Sequence, residues 1–321
     1  MSGAPNPPQS PEERRARKAL GRLGLFGGAP IRLQRAAGSV MVPMHRGVEN
    51  ECWFASGDAG EECFLKILCD DMRPFIDSAA TLDASQKAAA IGVAPAVKGH
   101  CFELGAIAFE RMSGEWRTAD MESLQDSDTR AKVIAAKRDV HRAQAFQRRR
   151  TIFDLLREYR LMQERIAAPY PESDHDLREN IARIESGFVA AGFDLRPCHG
   201  DGLASNVMLG PGNEVRLVDF EWAADNDPYY DLGALLVDVE QWDDGIRAAV
   251  EMYAGRFEER ICNRVKLHMI LDDFMWASFA IMAAHQSARR NVEFFKYGAF
   301  KLLRCRYHLR IWPVEEMLRK I

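Results

Sequence analysis

Four oxygen-bearing side chains lie near the middle of the chain, on either side of two short apolar runs. Asp201 and Asn206 precede the first run, and Asp219 and Glu221 follow the second. Carboxylate and amide oxygens are the ligands that Mg²⁺ prefers in proteins, and one remaining Asp could act as a base. Phosphoryl transfer needs this division of labour, because its chemistry is mostly positioning and charge neutralisation. The residue types therefore indicate a magnesium site suited to phosphoryl transfer.

The two apolar runs predict a hairpin that would hold these side chains together. Residues 207–209 and 215–218 are strand-like, and the segment Gly210-Pro211-Gly212-Asn213 between them is typical of a tight turn. A hairpin returns the chain to the end from which it started. We therefore expect Asn206 and Asp219 to lie side by side.

One lysine stands in the middle of a predicted strand in the N-terminal part of the chain. Residues 50–55 and 62–68 are β-prone and are separated by a Gly-containing hairpin loop. Lys66 lies between Leu65 and Ile67, so its side chain points to the opposite face from theirs. Taken alone, such a lysine is commonly just solvated. Beneath a bound nucleotide, it would neutralise the phosphates.

Two further features of this region are open to more than one interpretation. Gly47 and Asn50 lie in a turn that could cover phosphates, although a glycine before a strand is commonly only a turn. A helix is predicted over residues 75–91, ended by Gly92 and Pro95. Its Asp83 could pair with Lys66 or could be an ordinary surface acid.

The order of these patterns predicts an α+β protein with two lobes. Residues 1–30 begin with a Pro-rich polar stretch and are expected to form a disordered or loosely ordered tail, within which 14–25 could form a short helix. Residues 31–112 are expected to form a small nucleotide-binding lobe built on an antiparallel sheet. Residues 113–321 are expected to form a larger, mostly helical lobe that carries the catalytic and substrate-binding residues. A nucleotide would lie in the cleft between the lobes.

Composition and charge narrow the class of protein. The chain has 321 residues, 47% of them hydrophobic and 28% charged, with a formal net charge of −4. That charge argues against a general nucleic-acid binder, and the basic region around residues 130–160 lacks interleaved aromatic residues. The seven cysteines show no C-x-x-C pair or zinc spacing. No apolar run approaches the roughly 18 residues needed to span a bilayer, so we expect a cytoplasmic protein with reduced thiols and no membrane span.

Several motifs together resemble one family, the choline kinase and aminoglycoside phosphotransferase superfamily, in particular its choline and ethanolamine kinase branch. They are H-G-D-G-L-A-S-N at 199–206, V-D-F-E-W at 218–222 and N-D-P-Y-Y-D-L at 226–232. The resemblance extends from about residue 40 to 310, and it includes F-L-K-I-L around Lys66. It implies a two-lobed protein-kinase-like fold and a kinase that uses ATP and Mg²⁺.

The resemblance also implies a role for each matching residue. Asp201 would be the catalytic base, with Asn206 beside it on the catalytic loop. Asn206 and Asp219 would bind Mg²⁺, with Glu221 as an additional ligand. The remaining residues would hold the nucleotide: Lys66 on its phosphates with Asp83 as the lysine's partner, Gly47 and Asn50 in the covering loop, and Glu110 and Met112 in the hinge that holds adenine. His199 would support the loop structurally.

The acceptor would be chosen by the C-terminal lobe. Trp276 and Phe279 stand one helical turn apart, where choline kinases carry two tryptophans that pack on a quaternary ammonium group. The resemblance places Asp238 and Trp242 near the same group. These residues favour choline or a similar small cationic alcohol as substrate. Packing of the two aromatic rings in a helical core is the alternative interpretation.

Other functions remain open at this point. Acids at positions 225, 227, 243 and 244 would suit an aminoglycoside, so an aminoglycoside-type or sugar-alcohol phosphotransferase is the runner-up. A non-catalytic nucleotide-binding regulator on the same fold is a second alternative. The sequence gives no indication of the oligomeric state.

Overall fold

The computed structural model describes residues 10–36, 47–168, 175–240 and 242–321. The N-terminal lobe is built on a five-stranded antiparallel sheet with strand order β1-β2-β3-β5-β4. Its strands are β1 (Ile31–Arg35), β2 (Asn50–Gly57), β3 (Glu62–Leu68), β4 (Val97–Cys101) and β5 (Ala106–Phe109). The predicted hairpin of β2 and β3 is confirmed, with Ser56 opposite Glu62 across its loop.

Two helices cover this sheet from opposite faces. Helix α1 (Pro11–Leu23) packs Ala16, Ala19 and Leu20 in one cluster with Leu65 and Ile67 of β3. Helix α2 (Ser78–Ala90) lies on the other face, where its Leu82 packs on β5. Because side chains alternate along a strand, Lys66 points away from α1, as the sequence predicts.

The N-terminal segment is more ordered than expected. Helix α1 begins at Pro11 with Ser10 as its N-cap and ends at Gly24 in a left-handed cap. Residues 11–23 therefore belong to the N-terminal lobe rather than to a loose tail, because their apolar face is needed to cover the sheet. Residues 1–9 lie outside the described part of the chain.

The C-terminal lobe is mostly helical. Its helices are α3 (Met121–Gln125), α4 (Ser127–Val140), α5 (Ile152–Ile166), α6 (His175–Ala191), α7 (Pro228–Val239), α8 (Asp243–Ala254), α9 (Glu259–Gln286), α10 (Phe294–Ile311) and α11 (Val314–Leu318). Its short strands are β6 (Arg117–Thr118), β7 (Arg196–Cys198), β8 (Val207–Leu209), β9 (Val215–Leu217) and β10 (Ala224–Asn226). They form a β6-β8-β9 sheet and a β10-β7 pair.

Helix α9 runs through the centre of this lobe. It packs against α7, α10 and α5, and nearly every residue from Ile261 to Ala283 is buried. By length and composition α9 could cross a membrane, but 94% of its most apolar window is buried inside the protein. The hydrophobic cluster around it also includes Leu68, Met72 and Phe75. The two lobes therefore share part of their core.

Candidate active site

The hairpin predicted from the apolar runs is formed by β8 and β9. Val207 lies opposite Leu217, and the Val218 N–H donates to the Asn206 carbonyl at 2.9 Å. This pairing places Asn206 and Asp219 at the same end of the hairpin, as expected, and both line one cavity of about 230 Å³. The backbone of Asp219 is left-handed, with φ of 72°. Such strain in a residue other than glycine is typical of functional sites.

The side chain of Asn206 is suited to bind a cation. It is 8% exposed, lines the cavity, and makes no hydrogen bond within the described residues. Its polar atoms are not among the buried atoms that lack a partner, so they face the cavity, where the amide oxygen could bind a metal ion. The Oδ1 atom of Asp219 contacts Lys66, which leaves its second oxygen for a ligand. The oxygen donors of Asn206 and Asp219 therefore fit Mg²⁺.

Asp201 lies on the loop between β7 and the hairpin. Its side chain is 4% exposed, and its Oδ1 accepts the Leu203 N–H at 2.8 Å. Its carbonyl oxygen accepts the Lys137 ammonium at 2.8 Å and lies 2.7 Å from Nδ1 of His199. Because both the carboxylate and the backbone are held, the loop presents Asp201 in a fixed orientation.

A buried carboxylate, Asp231, organises this loop from below. Its two oxygens accept the backbone N–H groups of His199 at 2.8 Å and Gly200 at 2.7 Å. Lys137 and His141 contact the same carboxylate at 3.4 and 3.0 Å. Burial alone would raise the pKa of Asp231, but Lys137 and His141 hold it well below its usual range. The sequence includes Asp231 in a recognisable motif but gives no sign of this structural role.

His199 supports the loop, as the sequence predicts. Its Nε2 lies 2.9 Å from the Val218 carbonyl, so the imidazole connects the loop to the strand that carries Asp219. Burial, together with Lys137, lowers the pKa of His199. A fully buried ring whose two nitrogens both lie against backbone carbonyl oxygens suits support better than proton transfer.

Two glycines in H-G-D-G are required by close backbone approach. Gly200 has φ of 78°, and a Cβ there would lie 2.3 Å from the Trp222 carbonyl oxygen. A Cβ at Gly202 would lie 2.0 Å from the backbone of Ala234 in α7. Any other side chain would push the catalytic loop away from the helix beneath it.

Lys66 reaches across the cleft to two acids that follow β9. Its Nζ lies 2.9 Å from Asp219 Oδ1 and 2.5 Å from Glu221 Oε1. The side-chain amide of Asn50 donates to the same Glu221 oxygen at 2.9 Å. Glu221 is 4% exposed. Glu221 is therefore a partner of the lysine through Oε1, while its Oε2 is buried without a hydrogen-bond partner within the described residues. Its role as an additional metal ligand stays a prediction.

The expected pair of Lys66 with Asp83 is wrong. The Asp83 carboxylate instead contacts Lys87, one turn along α2, at 2.7 Å and accepts the Gln147 N–H at 2.6 Å. Its side chain therefore points toward the segment after α4 rather than toward β3. Glu221 supplies the charge that Lys66 requires.

Aromatic side chains and residues that the sequence assigns to a nucleotide line this cavity. Phe54, Phe64 and Phe109 of the sheet line it from the N-terminal lobe. Gly47, Glu110 and Met112, which the sequence assigns to the nucleotide, also line it, whereas Asn50 acts through Glu221.

The hinge between the lobes has free backbone groups. The Glu110 N–H is used, because it donates to the Ala96 carbonyl at 2.7 Å. The Glu110 carbonyl and the Met112 N–H have no hydrogen-bond partner within the described residues. One acceptor and one donor therefore remain beside the cavity.

The aromatic pair expected at the acceptor site lies in the core. Trp276 and Phe279 are 2% and 0% exposed, and both pack edge to face against Trp222. Phe279 also packs on Phe75 of the N-terminal lobe, at 4.9 Å between ring centroids. The i, i+3 spacing correctly placed both rings on one face of a helix. That face of α9 is covered by protein, so in this structure the two rings pack in the helical core.

The two other residues assigned to the acceptor differ from expectation. Asp238 contacts Lys301 at 3.2 Å and Arg304 at 2.6 Å. Burial would raise the pKa of Asp238, but these two cations lower it to about 2. Trp242 is 75% exposed at the start of α8. Asp238 is thus neutralised by the protein itself, and Trp242 faces solvent.

Three further buried polar residues, Tyr230, Asp272 and Tyr297, had no role assigned from sequence. The Tyr230 hydroxyl donates to Asp272 Oδ1 at 3.0 Å, and burial raises the pKa of Asp272 to about 7. Burial also raises the pKa of Tyr230 and Tyr297, and the charges of Asp201 and Asp272 add to the effect at both phenols. The three side chains, from α7, α9 and α10, are therefore close enough to one another and to Asp201 for their charges to interact. Tyr230 and Asp272 stand in motifs that the sequence displays, but their spacing alone does not show that they meet.

The whole chain is similar in fold to solved choline kinases. A choline/ethanolamine kinase family protein from Mesorhizobium loti has a TM-score of 0.77 at 20% identity, over 95% of this chain and 98% of that one. Choline kinase LicA from Streptococcus pneumoniae also has a TM-score of 0.77, at 18% identity, over 94% of this chain and all of that one. A spectinomycin phosphotransferase solved with ADP and spectinomycin is less similar, with a TM-score of 0.59 at 14% identity, over 91% of this chain and 98% of that one.

Fold and site together define a two-lobed phosphotransferase with a kinase-like fold. The model of the phosphotransferase enzyme family, APH, matches residues 40–262, which is more than half of the chain, and the chain belongs to this family. An uncharacterized protein, the MG356 homolog of Mycoplasma pneumoniae (strain ATCC 29342 / M129 / Subtype 1), is 27% identical over 79 residues. That alignment covers 25% of this chain and 27% of the relative's length.

Proposed function

We propose that this protein is an ATP- and Mg²⁺-dependent kinase that phosphorylates the hydroxyl group of choline or a similar small amino alcohol. The observation that carries the proposal is the contact of Lys66 with Asp219 at 2.9 Å, across a cavity that Asn206 also lines. This arrangement joins a phosphate-binding cation from one lobe to metal-binding oxygens from the other. Solved structural neighbours include proteins in complex with AMP, ADP and GDP, which supports a nucleotide in this cavity.

Each residue has a distinct task in this reaction. The free carbonyl of Glu110 and the free N–H of Met112 match the donor and acceptor edge of adenine. Lys66 binds phosphate oxygens, and Glu221 holds it in place. Asn206 and Asp219 would hold Mg²⁺, which neutralises phosphate charge when bound. Asp201 accepts the proton of the acceptor hydroxyl.

The choice of an amino alcohol as substrate rests on the names of the structural neighbours. It also rests on the acids that would suit an aminoglycoside, because three of them already have partners in the protein. The two structures with the highest TM-scores above are a choline/ethanolamine kinase family protein and a choline kinase. Asp227 is paired with Arg264, Asp243 contacts Lys266, and Asp225 accepts the Phe146 N–H. Acids already engaged in this way are poorly placed to bind a polycationic aminoglycoside.

An aminoglycoside-type or sugar-alcohol phosphotransferase remains the second candidate. A specific observation favours it over choline, namely the complete burial of the Trp276 and Phe279 rings. A non-catalytic regulator is disfavoured, because the chain retains the proposed base Asp201 and because Lys66, Asn206 and Asp219 line one cavity.

The cytoplasm is the compartment that fits the thiols. All seven cysteines lie within the described residues, and all are free. Burial raises the pKa of Cys52 to about 12 and of Cys63 and Cys69 to about 11, which disfavours their thiolate forms. Unpaired thiols are typical of proteins in reducing compartments.

An ATP-consumption screen tests the proposal directly. We expect Mg²⁺-dependent turnover with choline, ethanolamine or another amino alcohol, and little with kanamycin or spectinomycin. The Asp201→Asn variant should bind Mg·ATP with unchanged affinity and lose about 10²–10⁴-fold in turnover. Turnover of Asp201→Asn within about threefold of the natural protein would remove Asp201 from the role of base.

A further inference from the structure

A second cavity lies on the seam between the two lobes. It has a volume of about 370 Å³, and it is lined by residues 73–77 of the N-terminal lobe and by residues 148–150, Glu158, Tyr159 and Met162 of the C-terminal lobe. None of these residues lines the nucleotide cavity. The seam cavity is therefore a separate site.

The lining of the seam cavity is strongly basic. Four arginines and two acids line the cavity; Arg73 is paired with Asp70 outside the lining at 2.9 Å, and both lining acids are already engaged. Asp77 caps α2 by accepting the N–H groups of Ala79 and Ala80, at 3.0 and 3.2 Å. Glu158 contacts Nη1 of Arg150 at 3.2 Å. An excess of positive charge in a concave, partly enclosed site attracts anions.

Two polar groups in this lining have no hydrogen-bond partner within the described residues. They are Nη2 of Arg150 and the hydroxyl of Tyr159, and both atoms are buried. The Arg150 side chain is 10% exposed and Tyr159 is 2% exposed. Buried donors are normally satisfied, so an unpaired guanidinium nitrogen and an unpaired phenol beside one cavity indicate a missing acceptor.

The remaining arginines fit the same interpretation. Arg149 is exposed at the rim, and no hydrogen bond or ion pair of its side chain is found within the described residues. Arg148 is occupied, because its guanidinium donates to the carbonyls of Glu221 and Ala223, each at 2.7 Å. Burial, together with the nearby charge of Arg150, lowers the pKa of Arg148 to about 10.

We propose that the seam cavity binds the phosphate group of a small phosphorylated molecule. Guanidinium forks match the oxygens of phosphate, and the Tyr159 hydroxyl supplies a further donor. The volume exceeds that of a phosphate ion alone, which leaves room for an organic body against Phe75 and Met162. Both lobes contribute to the lining, and Arg148 connects it to the segment that carries Glu221. An occupant would therefore contact both lobes at once.

Calorimetric titration tests this site. Glycerol 3-phosphate and inorganic phosphate are each titrated into the full chain in the presence of Mg²⁺ and a saturating non-hydrolysable ATP analogue, so that the nucleotide cavity is filled. We expect saturable binding of both. The dissociation constants should rise at least tenfold in Arg149→Gln and in Arg150→Gln.

Two control variants separate this site from its surroundings. Arg160→Gln removes an exposed arginine of α5, the helix that carries Tyr159 and Met162, outside the cavity, and should leave phosphate binding unchanged. Lys66→Ala disables the nucleotide cavity and should also leave phosphate binding at the seam cavity unchanged. The test of the seam cavity therefore does not depend on whether the protein has the proposed kinase activity. Arg149 is exposed, so its variant decides the matter even if Arg150→Gln does not fold. Absence of saturable phosphate binding, or equal binding by Arg149→Gln and Arg160→Gln, would overturn the proposal.

Discussion

The partner of Lys66 can be tested by exchanging the charge on two acids separately. Glu221→Gln keeps the shape of the side chain and its contact with Asn50 but removes the charge 2.5 Å from Nζ. Asp83→Asn makes the same change at the acid that sequence reasoning assigned to this role. The two variants form a matched pair, because each converts one carboxylate into its amide.

The expected loss of Mg·ATP affinity in Glu221→Gln follows from the burial of the Lys66–Glu221 pair. Lys66 is 8% exposed, and a hydrogen bond to a charged group contributes about 1.5–3 kcal/mol. The larger cost of a buried charge left alone, about 3–5 kcal/mol, does not apply, since Asp219 still contacts the lysine. At about 1.4 kcal/mol per factor of ten, Glu221→Gln should weaken Mg·ATP binding by about 10–100-fold. Asp83→Asn should change it by less than about threefold.

The assay is isothermal titration of Mg·ATP into each variant, with circular dichroism to confirm that both are folded. In Glu221→Gln, Lys66 would pair more closely with Asp219 and would compete with Mg²⁺ for that carboxylate. The loss of ATP affinity in this variant should therefore be smaller when ATP is titrated without Mg²⁺. Equal losses in the two variants, or unchanged affinity in Glu221→Gln, would refute the assignment of Glu221 as the lysine's partner.

Two further predictions concern stability. Burial raises the pKa of Asp272 from 3.8 to about 7, so the folded state keeps a proton that the unfolded chain releases. The free energy of unfolding should therefore fall as the pH rises from about 4 to 7. The loss is up to about 4 kcal/mol for about three pH units. The urea midpoint of the unaltered protein should therefore be lower at pH 8 than at pH 5, and this difference should become smaller in Asp272→Asn. An identical pH dependence of the midpoint in both proteins would contradict this account. Gly202→Ala should lower stability by about 1–3 kcal/mol because its Cβ would meet the Ala234 backbone, whereas Gly21→Ala, in α1 with nothing within 4 Å, should be neutral or stabilising. Thermal melts of the two alanine variants check this, and similar melting temperatures would count against the close approach.

The parts of the site that sequence predicts are those encoded by neighbouring residues. The β8–β9 hairpin follows from two apolar runs and a Gly-Pro turn, and it alone brings Asn206 to Asp219. The direction of Lys66 follows from alternation along one strand. In both cases the relevant geometry is fixed within about twenty residues, where backbone periodicity is still reliable.

The parts that sequence misses depend on contacts between distant segments. Glu221 meets Lys66 across 155 residues, and no periodicity relates the two. Lys301 and Arg304 reach Asp238 from α10, which converts an apparent acceptor-binding acid into a neutralised one. Helical spacing shows that two aromatic rings share a face but not which face stays open, because a central helix such as α9 is covered on all sides.

The pairing of Lys66 also bears on how activity could be switched. In protein kinases the corresponding lysine pairs with a glutamate on the helix after its strand, and outward movement of that helix turns the enzyme off. Here the helix in that place, α2, carries no part of the pair: its Asp83 is bound to Lys87 and to the Gln147 backbone. Both acids that hold Lys66 lie on the same short segment of the opposite lobe. A displacement of α2 would therefore leave the contacts of Lys66 with Asp219 and Glu221 in place, whereas a separation of the two lobes would break them.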